Sequence, residues 1–216
     1  MNIYFLDFET TGLNPFNDDL IEIAIKKIDT NEYYQTLIKP KVNGIHYKYI
    51  SPKIESITHI TDDMIENNSL DPDEVILKFI NYITRSSKEG PIYIIAHNGI
   101  NFDFLFLKRL FKEHGDQSNK RITRNNKIDK SIIQRFKFID SILLAKLTIK
   151  SDSYSQASLC KRFGIINNCE HRALGDINAL EKLYDKLTLH LSYNDGSPNN
   201  IYKYNASEIY KRINIL

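Results

Sequence analysis

The first twelve residues, MNIYFLDFETTG, set the interpretation of the rest of the chain. Within residues 2–8, Ile3, Phe5 and Leu6 are apolar or aromatic and there is almost no charge before Asp7, which predicts a buried strand; Glu9 follows Asp7 two positions later. Residues two apart in a strand point to the same face, so the two carboxylates should project side by side. Two anions at this separation repel each other, and a bound cation is the usual remedy. An ordinary acidic turn after a strand is the alternative.

The composition is that of a globular chain: 216 residues, 42% hydrophobic and 26% charged, which is enough for one domain with a sizeable core. No apolar run approaches the ~20 residues that span a bilayer, and no signal peptide precedes the first strand. Two cysteines, Cys160 and Cys169, provide neither a disulfide framework nor a zinc site. We therefore expect an intracellular, reducing compartment, the cytoplasm or nucleus, without secretion or a membrane anchor.

The net charge of +2 is too small to indicate nucleic-acid binding by itself. Basic residues are concentrated between positions 108 and 137, with few acids among them. The stretch 116–135 is therefore considered for a role in nucleic-acid binding. We expect its basic part, 120–130, to be a solvated surface loop, with a contact to nucleic-acid phosphates as the alternative.

Apolar periodicity predicts both strands and helices along the chain. Strands are predicted at 2–8, 20–28, 32–38, 91–96 and 136–139. Helices are predicted near 61–62, at 73–84 and 102–111, from 142, and at 155–163, 173–191 and 206–212, with loops at 39–56 and 194–200. A meander of three strands followed by alternating helices and strands predicts an α/β fold whose central mixed β-sheet has helices on both faces. The strand near 33–38 would be an edge, where a homodimer could form.

Three further residues should converge on Asp7 and Glu9, because ligands gather at strand ends in such sheets. Asp103 follows a buried strand at the start of a helix, and His171 and Asp176 flank the start of the last long helix. Four carboxylates form an all-oxygen set that suits Mg²⁺ or Mn²⁺ rather than zinc. Their charge exceeds what one divalent cation balances, which points to two ions and to displacement at phosphorus. His171 would then be the general base.

Three stretches resemble the motifs of a known family: FLDFETTGL (5–13), HNGINFDFLFL (97–107) and HRALGDINAL (171–180). In this order they are similar to the three motifs of the DEDDh (DnaQ-like) 3′→5′ exonucleases, a branch of the ribonuclease H-like superfamily. The resemblance covers residues 1 to about 190. It implies a ribonuclease H-like fold, with an exonuclease domain over 1–193 and a short linker and C-terminal helix, 194–216, packed on that domain.

The resemblance also implies roles for individual residues. Asp7, Glu9, Asp103 and Asp176 would bind two Mg²⁺ ions, for which Mn²⁺ could substitute, and His171 would be the base. All five positions are filled. Six residues would hold the terminal nucleotide: Thr10, Leu13, Ile57, Thr58, Asn98 and Phe102.

Each of these nucleotide contacts has a structural alternative. Leu13 resembles an apolar wedge between the last two bases but could be a core residue. Thr58 could be a helix cap and Asn98 a turn residue. His97, at a strand end, is expected to be a hydrogen-bonding structural histidine rather than a ligand.

The chain resembles two branches of the family. Residues 96–104, 139–141 and 153–155 are similar to three-prime repair exonucleases (the TREX type), without the proline-rich loop and membrane tail of one TREX branch. Residues 158–165 are similar to proofreading subunits of bacterial replicases. Both branches act on DNA 3′ ends, in repair or proofreading, so the resemblance implies an enzyme that removes nucleoside 5′-monophosphates from single-stranded, frayed or mismatched DNA 3′ ends. The alternatives are an RNA 3′-end trimmer with the same five residues, and a non-catalytic nucleic-acid-binding or partner-docking module.

Overall fold

The computed structural model describes residues 1–42, 45–46, 49–114, 131–168 and 170–214, except for the side chains of 41–42 and 45–46. The strands within these ranges are β1 (Ile3–Thr10), β2 (Leu20–Lys27), β3 (Tyr33–Ile38), β4 (Lys41–Val42), β5 (Ile45–His46), β6 (Ser69–Leu70), β7 (Ile92–Ala96) and β8 (Phe136–Asp140). The helices are α1 (Pro52–Thr58), α2 (Asp62–Asn68), α3 (Pro72–Ser86), α4 (Asp103–His114), α5 (Ser131–Gln134), α6 (Ser141–Thr148), α7 (Gln156–Arg162), α8 (Ala173–Asn194) and α9 (Ala206–Ile213).

Six of the strands form one mixed sheet in the order β6-β3-β2-β1-β7-β8, and β4 and β5 form a separate pair. Strands β1, β2 and β3 are antiparallel neighbours, whereas β7 runs parallel to both β1 and β8. The predicted α/β fold, with an antiparallel meander joined to parallel strands and flanked by helices, is confirmed. The carboxyl ends of β1, β7 and β8 consequently lie at one edge of the sheet.

Strand β1 is buried on both faces, which explains its continuous apolar run. Tyr4 and Leu6 belong to a core cluster shared with α3 and α4. Ile3 and Phe5 belong to a second cluster shared with α6 and α8. Alternation along the strand therefore carries Asp7, and Glu9 after it, onto the α8 side of the sheet.

Helix α8 covers that side. Its buried residues recur at helical spacing and include Ile177, Leu180, Tyr184 and Leu187. The C-terminal segment packs on the same cluster through residues of α9 such as Ile209, and Arg212 pairs with Asp195 at 2.8 Å.

Across the described part of the chain, no helix combines the length and apolarity that crossing a membrane requires.

The predicted loop at 39–56 is wrong at its end, because α1 begins at Pro52. Ser51 caps this helix by accepting a hydrogen bond from the Ile54 N–H, and proline is favoured in the first helical turn. The four-residue helix α5 and the two-residue strands were not predicted, since elements this short carry no periodicity. The basic stretch 120–130 and Cys169 lie outside the described residues.

Strand β3 is only partly covered on its outer side. Strand β6 pairs with Leu37 and Ile38 alone, so Tyr33–Thr36 has no further strand beside it among the described residues. Pairing of this edge with a second copy of the chain stays a prediction.

Candidate active site

Asp7, Glu9 and Asp176 meet at the carboxyl end of β1. Asp176 lies in the first turn of α8, which packs on the face of β1 that carries the other two carboxylates. One oxygen from each of the three side chains lies within 4.8 Å of the others. The structure thus brings together three of the four predicted ligands in a group whose spacing could hold a metal ion.

Asp103 is the first residue of α4 and is buried beside Asp7. It is not part of the three-residue group, but its charge has the largest electrostatic effect on the pKa of Asp7. Its Oδ1 atom is buried without a hydrogen-bond partner among the described residues. A buried carboxylate oxygen without a partner is costly, so this atom needs a ligand.

The carboxylates raise one another's pKa. Burial, and then the charges of Asp176 and Glu22, raise the pKa of Glu9 to about 8. Burial raises the pKa of Asp103 to about 8 and that of Asp176 to about 6. Burial, and then the charge of Asp103, raise the pKa of Asp7 well above its ordinary value. A cluster in which every acid resists ionisation favours a bound cation.

The residues present fit divalent metal ions. The donors are all carboxylate oxygens, the set that Mg²⁺ and Mn²⁺ prefer. Positive charge would reduce the mutual repulsion of the four carboxylates. It would also provide a partner for the Asp103 oxygen that has none among the described residues. The geometry is therefore consistent with the predicted metal site.

His171 lies two residues before the start of α8, exposed at the rim of a cavity of about 320 Å³ that Asp7 and Asp176 also line. Its backbone φ is +60°, in the left-handed region that favours glycine. Its backbone N–H donates to Asp176 Oδ2 at 3.0 Å, and Asn167 Nδ2 donates to Asp176 Oδ1 at 2.8 Å. Each oxygen keeps a further lone pair for a metal. The predicted base is thus tied through its backbone to a predicted ligand.

The predicted nucleotide-binding residues differ in exposure. Leu13 is 85% exposed, so the structure does not place it in the core, and Phe16 on the same loop is 79% exposed. Ile57 and Asn98 are also exposed, and the φ of Asn98 is +61°. Phe102 is half-buried with its ring 5.0 Å from that of Phe106.

Two of the predicted nucleotide contacts use their hydroxyls inside the protein. Thr10 donates to the Gly12 carbonyl at 2.6 Å. Thr58 is buried, donates to the Ile54 carbonyl at 3.0 Å and accepts from the Ile60 N–H at 3.2 Å. For these threonines, the backbone and the methyl group remain as means of contact.

Two other side chains shape the site, and neither was assigned a role from the sequence, although Asp140 lies in the 139–141 stretch that resembles the TREX type. Asp140, at the end of β8, accepts from the N–H groups of Asn98 and Ile100 at 3.2 and 3.1 Å and so holds the turn before Asp103. Arg109 of α4 binds the loop after β1 through Pro15, Asp18 and Asp19. The signal in the sequence was slight: an acid at a strand end and an arginine on a helix.

His97 has both ring nitrogens engaged, as expected of a structural histidine. Nε2 lies 3.0 Å from the Tyr154 carbonyl and Nδ1 lies 2.7 Å from the Ser141 hydroxyl. The carbonyl can only accept, so Nε2 donates, and Nδ1 of a neutral ring accepts. Burial lowers the pKa of His97, which favours that neutral ring.

Residues 4–184 match the family described as Exonuclease (RNase_T). The chain belongs to the RNase_T exonuclease family. The predicted DnaQ-like exonuclease relationship is thereby confirmed, and the group formed by Asp7, Glu9 and Asp176 is consistent with the divalent metal ions that this family uses.

Two relatives illustrate how far this exonuclease chain resembles known proteins. It is 34% identical over 182 residues to the DNA polymerase III PolC-type of Thermotoga petrophila, covering 83% of this chain and 11% of the polymerase. It is 30% identical over 202 residues to Exonuclease DPD1, chloroplastic/mitochondrial, of Arabidopsis thaliana, covering 88% of this chain and 57% of DPD1. The chain thus spans about a tenth of the polymerase and somewhat more than half of DPD1.

The fold also matches that of solved structures. Exonuclease I of E. coli, in complex with a dT13 oligonucleotide, superposes with a TM-score of 0.63 at 18% identity, covering 88% of this chain and 40% of the exonuclease I chain. At this identity the likeness shows a common fold.

Proposed function

We propose that this exonuclease domain is a metal-dependent 3′→5′ exonuclease that releases nucleoside 5′-monophosphates from single-stranded, frayed or mismatched DNA 3′ ends. The observation that carries the proposal is the grouping of Asp7, Glu9 and Asp176 within 4.8 Å, beside an Asp103 oxygen without a partner among the described residues. DNA is favoured over RNA because the PolC-type polymerase and the oligonucleotide complex of exonuclease I are both DNA systems by name.

The four carboxylates would hold two Mg²⁺ ions, for which Mn²⁺ would substitute. Asp7 is central to this set, because it groups with Glu9 and Asp176 and because Asp103 has the largest electrostatic effect on its pKa. When bound, such ions activate water, polarise the phosphate and stabilise the leaving oxygen. The protein fixes the carboxylates on a strand and two helix N-termini, so that little reorganisation accompanies the reaction.

His171 takes the proton from the attacking water in this proposal. Its place at the rim of the cavity that Asp7 and Asp176 line gives it access to water. A general base of this kind contributes about 10²–10⁴-fold to the rate. Its backbone bond to Asp176 links the position of the base to the position of a ligand.

The terminal nucleotide would be held by exposed side chains and backbone that are not part of the lining of this cavity. Leu13 and Ile57 offer apolar surface to the bases, Asn98 offers a polar group, and Thr10 offers its backbone. Such contacts read an unpaired end rather than a sequence, which suits stepwise removal of nucleotides. Phe102 is half-buried and Thr58 is buried, so each would contact the nucleotide only through the small part of its surface that is exposed.

The test is digestion of 5′-labelled single-stranded DNA, duplex DNA and RNA in Mg²⁺. Shortening by one nucleotide at a time, with release of nucleoside 5′-monophosphate, is expected on single-stranded DNA. Asp7→Asn and Asp176→Asn should lose activity by about 10³-fold or more, because several kcal/mol of charge stabilisation disappear. Asp63→Asn, an exposed acid in the first turn of α2, is the matched control and should be unaffected.

Each other outcome contradicts part of the proposal. Preferential digestion of RNA would make the protein an RNA trimmer. A wild-type protein that binds DNA without cutting it would be a nucleic-acid-binding module. Normal activity in Asp7→Asn would refute the site itself.

A further inference from the structure

Glu22 is a buried acid that the proposed reaction does not use. It lies in the middle of the sheet on β2, with 1% of its surface exposed. Its carboxylate is fully satisfied: Arg172 donates from two nitrogens at 2.7 and 3.2 Å, the Ala173 N–H at 3.0 Å and Gln35 Nε2 at 2.9 Å. A buried carboxylate with this many donors is a fixed anchor point.

The partners of Glu22 lie next to the proposed base. Arg172 directly follows His171, and Ala173 begins α8. The N–H of His171 points to Asp176 and that of Ala173 points to Glu22. Residues 171–173 are therefore held between two carboxylates, with the Arg172 side chain as a third tie.

The backbone of His171 needs such restraint. A φ of +60° is unfavourable for a residue with a side chain, and it persists only where the surroundings determine it. The Glu22–Arg172 pair supplies that restraint from outside the reaction site. We propose that Glu22 and Arg172 are positioning residues, which hold His171 and Asp176 in the geometry that the reaction requires; this rests on the proposed function.

The fold contains a matched comparison. A second ion pair, Lys26 with Glu181 at 2.6 Å, also joins β2 to α8. Lys26 lies four residues after Glu22 on the same strand. Glu181 lies nine residues after Arg172, well inside α8. Both pairs dock the helix on the sheet, but only Glu22–Arg172 contacts the segment that carries the base.

The experiment compares the two pairs in the full chain. The variants are Glu22→Gln, Arg172→Ala and Arg172→Lys at the first pair, and Lys26→Ala and Glu181→Gln at the second. We expect Arg172→Ala and Glu22→Gln to lower kcat on single-stranded DNA by about 10–100-fold with little change in KM, because misplaced groups lose rate rather than binding. Lys26→Ala and Glu181→Gln should stay within about twofold of wild type, as expected of partly exposed pairs.

Three further measurements separate positioning from stability. Added guanidinium should restore part of the kcat of Arg172→Ala and none of that of Lys26→Ala. Arg172→Lys should recover less than half of the loss, since a single ammonium cannot form the two-nitrogen contact. Mn²⁺ affinity, measured by calorimetry, should fall about 3–10-fold in Arg172→Ala, because Asp176 moves.

The outcomes distinguish failure of the positioning inference from failure of the proposed function. Equal losses of kcat at both ion pairs, with losses that follow thermal stability, would show a docking role and overturn the inference. A wild-type protein without nuclease activity would overturn the proposed function, and the Mn²⁺ affinities of the variants would then decide whether Glu22 and Arg172 position Asp176. Unchanged kcat and Mn²⁺ affinity in Arg172→Ala would refute positioning.

Discussion

Glu9 and Glu22 lie directly opposite each other in the β1–β2 ladder, yet among the described residues only Glu22 is ion-paired. Directly opposed side chains share a face, so two carboxylates on neighbouring strands point to the same side of the sheet. Arg172 neutralises Glu22 through two hydrogen bonds, and the Ala173 N–H and Gln35 Nε2 donate one further hydrogen bond each. Within the described ranges Glu9 has no such partner, and the charge of Glu22 adds to the effects that raise its pKa. Two opposed acids thus differ in role: Glu22 is bound within the protein, whereas Glu9 is left for the proposed metal ion.

The first prediction concerns pH and metal together. The folded pKa of Glu9 and Asp103 is about 8 and that of Asp176 about 6, against ordinary values near 4. The metal-free folded state thus binds more protons than the unfolded state between about pH 4 and pH 8, so its free energy of unfolding falls as pH rises through this window. We expect a Tm at least about 5 °C lower at pH 8.5 than at pH 5.5 in EDTA.

Mg²⁺ should reverse this loss. The ions bind ionised carboxylates, so their stabilising effect grows with pH, and the Tm increase should be larger at pH 8.5 than at pH 5.5. Circular dichroism melts in EDTA and in Mg²⁺ measure both effects. The Glu9→Gln variant is the control and should show a weaker dependence on pH. An equal Tm increase at both pH values would contradict the assignment.

The second prediction concerns the loop that carries Leu13. Arg109 donates to the carbonyls of Pro15 and Asp18 at 2.8 and 2.5 Å and pairs with Asp19 at 3.1 Å. Arg109→Ala should loosen this loop and lower stability by about 1–2 kcal/mol. The KM for single-stranded DNA should rise about 3–10-fold, since the loop must then be ordered on binding.

Lys108→Ala is the matched control for Arg109, because Lys108 is the exposed neighbour on the same helix. Its stability and KM should match those of the wild type. Steady-state kinetics with oligonucleotides and urea unfolding provide the two measurements. An unchanged KM in Arg109→Ala would show that the order of this loop does not affect substrate binding.

The third prediction concerns the turn before Asp103. Asp140 accepts from the N–H groups of Asn98, Ile100 and Ile142. In Asp140→Asn an amide NH₂ replaces one acceptor oxygen and faces donors, which should cost about 1–3 kcal/mol. Displacement of Asp103 should reduce kcat about tenfold.

Asp152→Asn tests the specificity of that loss, since Asp152 is exposed after α6. It should leave both the urea midpoint and kcat unchanged. A normal kcat in Asp140→Asn, at reduced stability, would show that the turn tolerates movement without affecting Asp103.

The fourth prediction uses two glycines. A Cβ on Gly99 would lie 2.6 Å from the ring of Phe104 and 2.8 Å from Ala96 Cβ, in a buried region next to Asp103. Gly99→Ala should lower stability by about 1–3 kcal/mol and reduce kcat as well, because the start of α4 must shift. Gly196 has a φ of +79° and open space around it, so Gly196→Ala should cost about 1 kcal/mol with normal kcat. Thermal melts and single-turnover rates on DNA distinguish the two, and equal kcat values would remove the link between Gly99 and the site.

Much of the fold follows from short-range patterns in the sequence. The alternation in β1 places Asp7 and Glu9 on one face, and the helical spacing of Ile177, Leu180 and Tyr184 identifies α8. Each of these periods repeats within three or four neighbouring residues, so a strand or helix can be predicted from them without knowing which other elements it packs against. The helix α1 was missed because its proline and lysine resembled those of a loop.

The candidate site was partly predictable for the same reason. Asp7 and Glu9 lie near the end of a strand, and Asp103, His171 and Asp176 lie at or just before the first turn of a helix; sheets of this kind bring such ends together. Exposure was not predictable: Leu13 could have been a core residue, and its 85% exposure is a property of the folded loop. The sequence also did not reveal that the hydroxyls of Thr10 and Thr58 bond to nearby backbone carbonyls, and the contact of both residues with a nucleotide stays a prediction.

The sequence by itself determined which residues are acids at element ends, and hence that a cation site was to be expected. Only the tertiary structure decided that Glu22 would pair with Arg172, 150 positions away, and that Asp140 would hold the turn before Asp103. Local periodicity carries no information about such pairs, because their partners are set by how strands and helices pack. The opening strand therefore carries two of the proposed ligands, and packing determined which residues hold the proposed site in place.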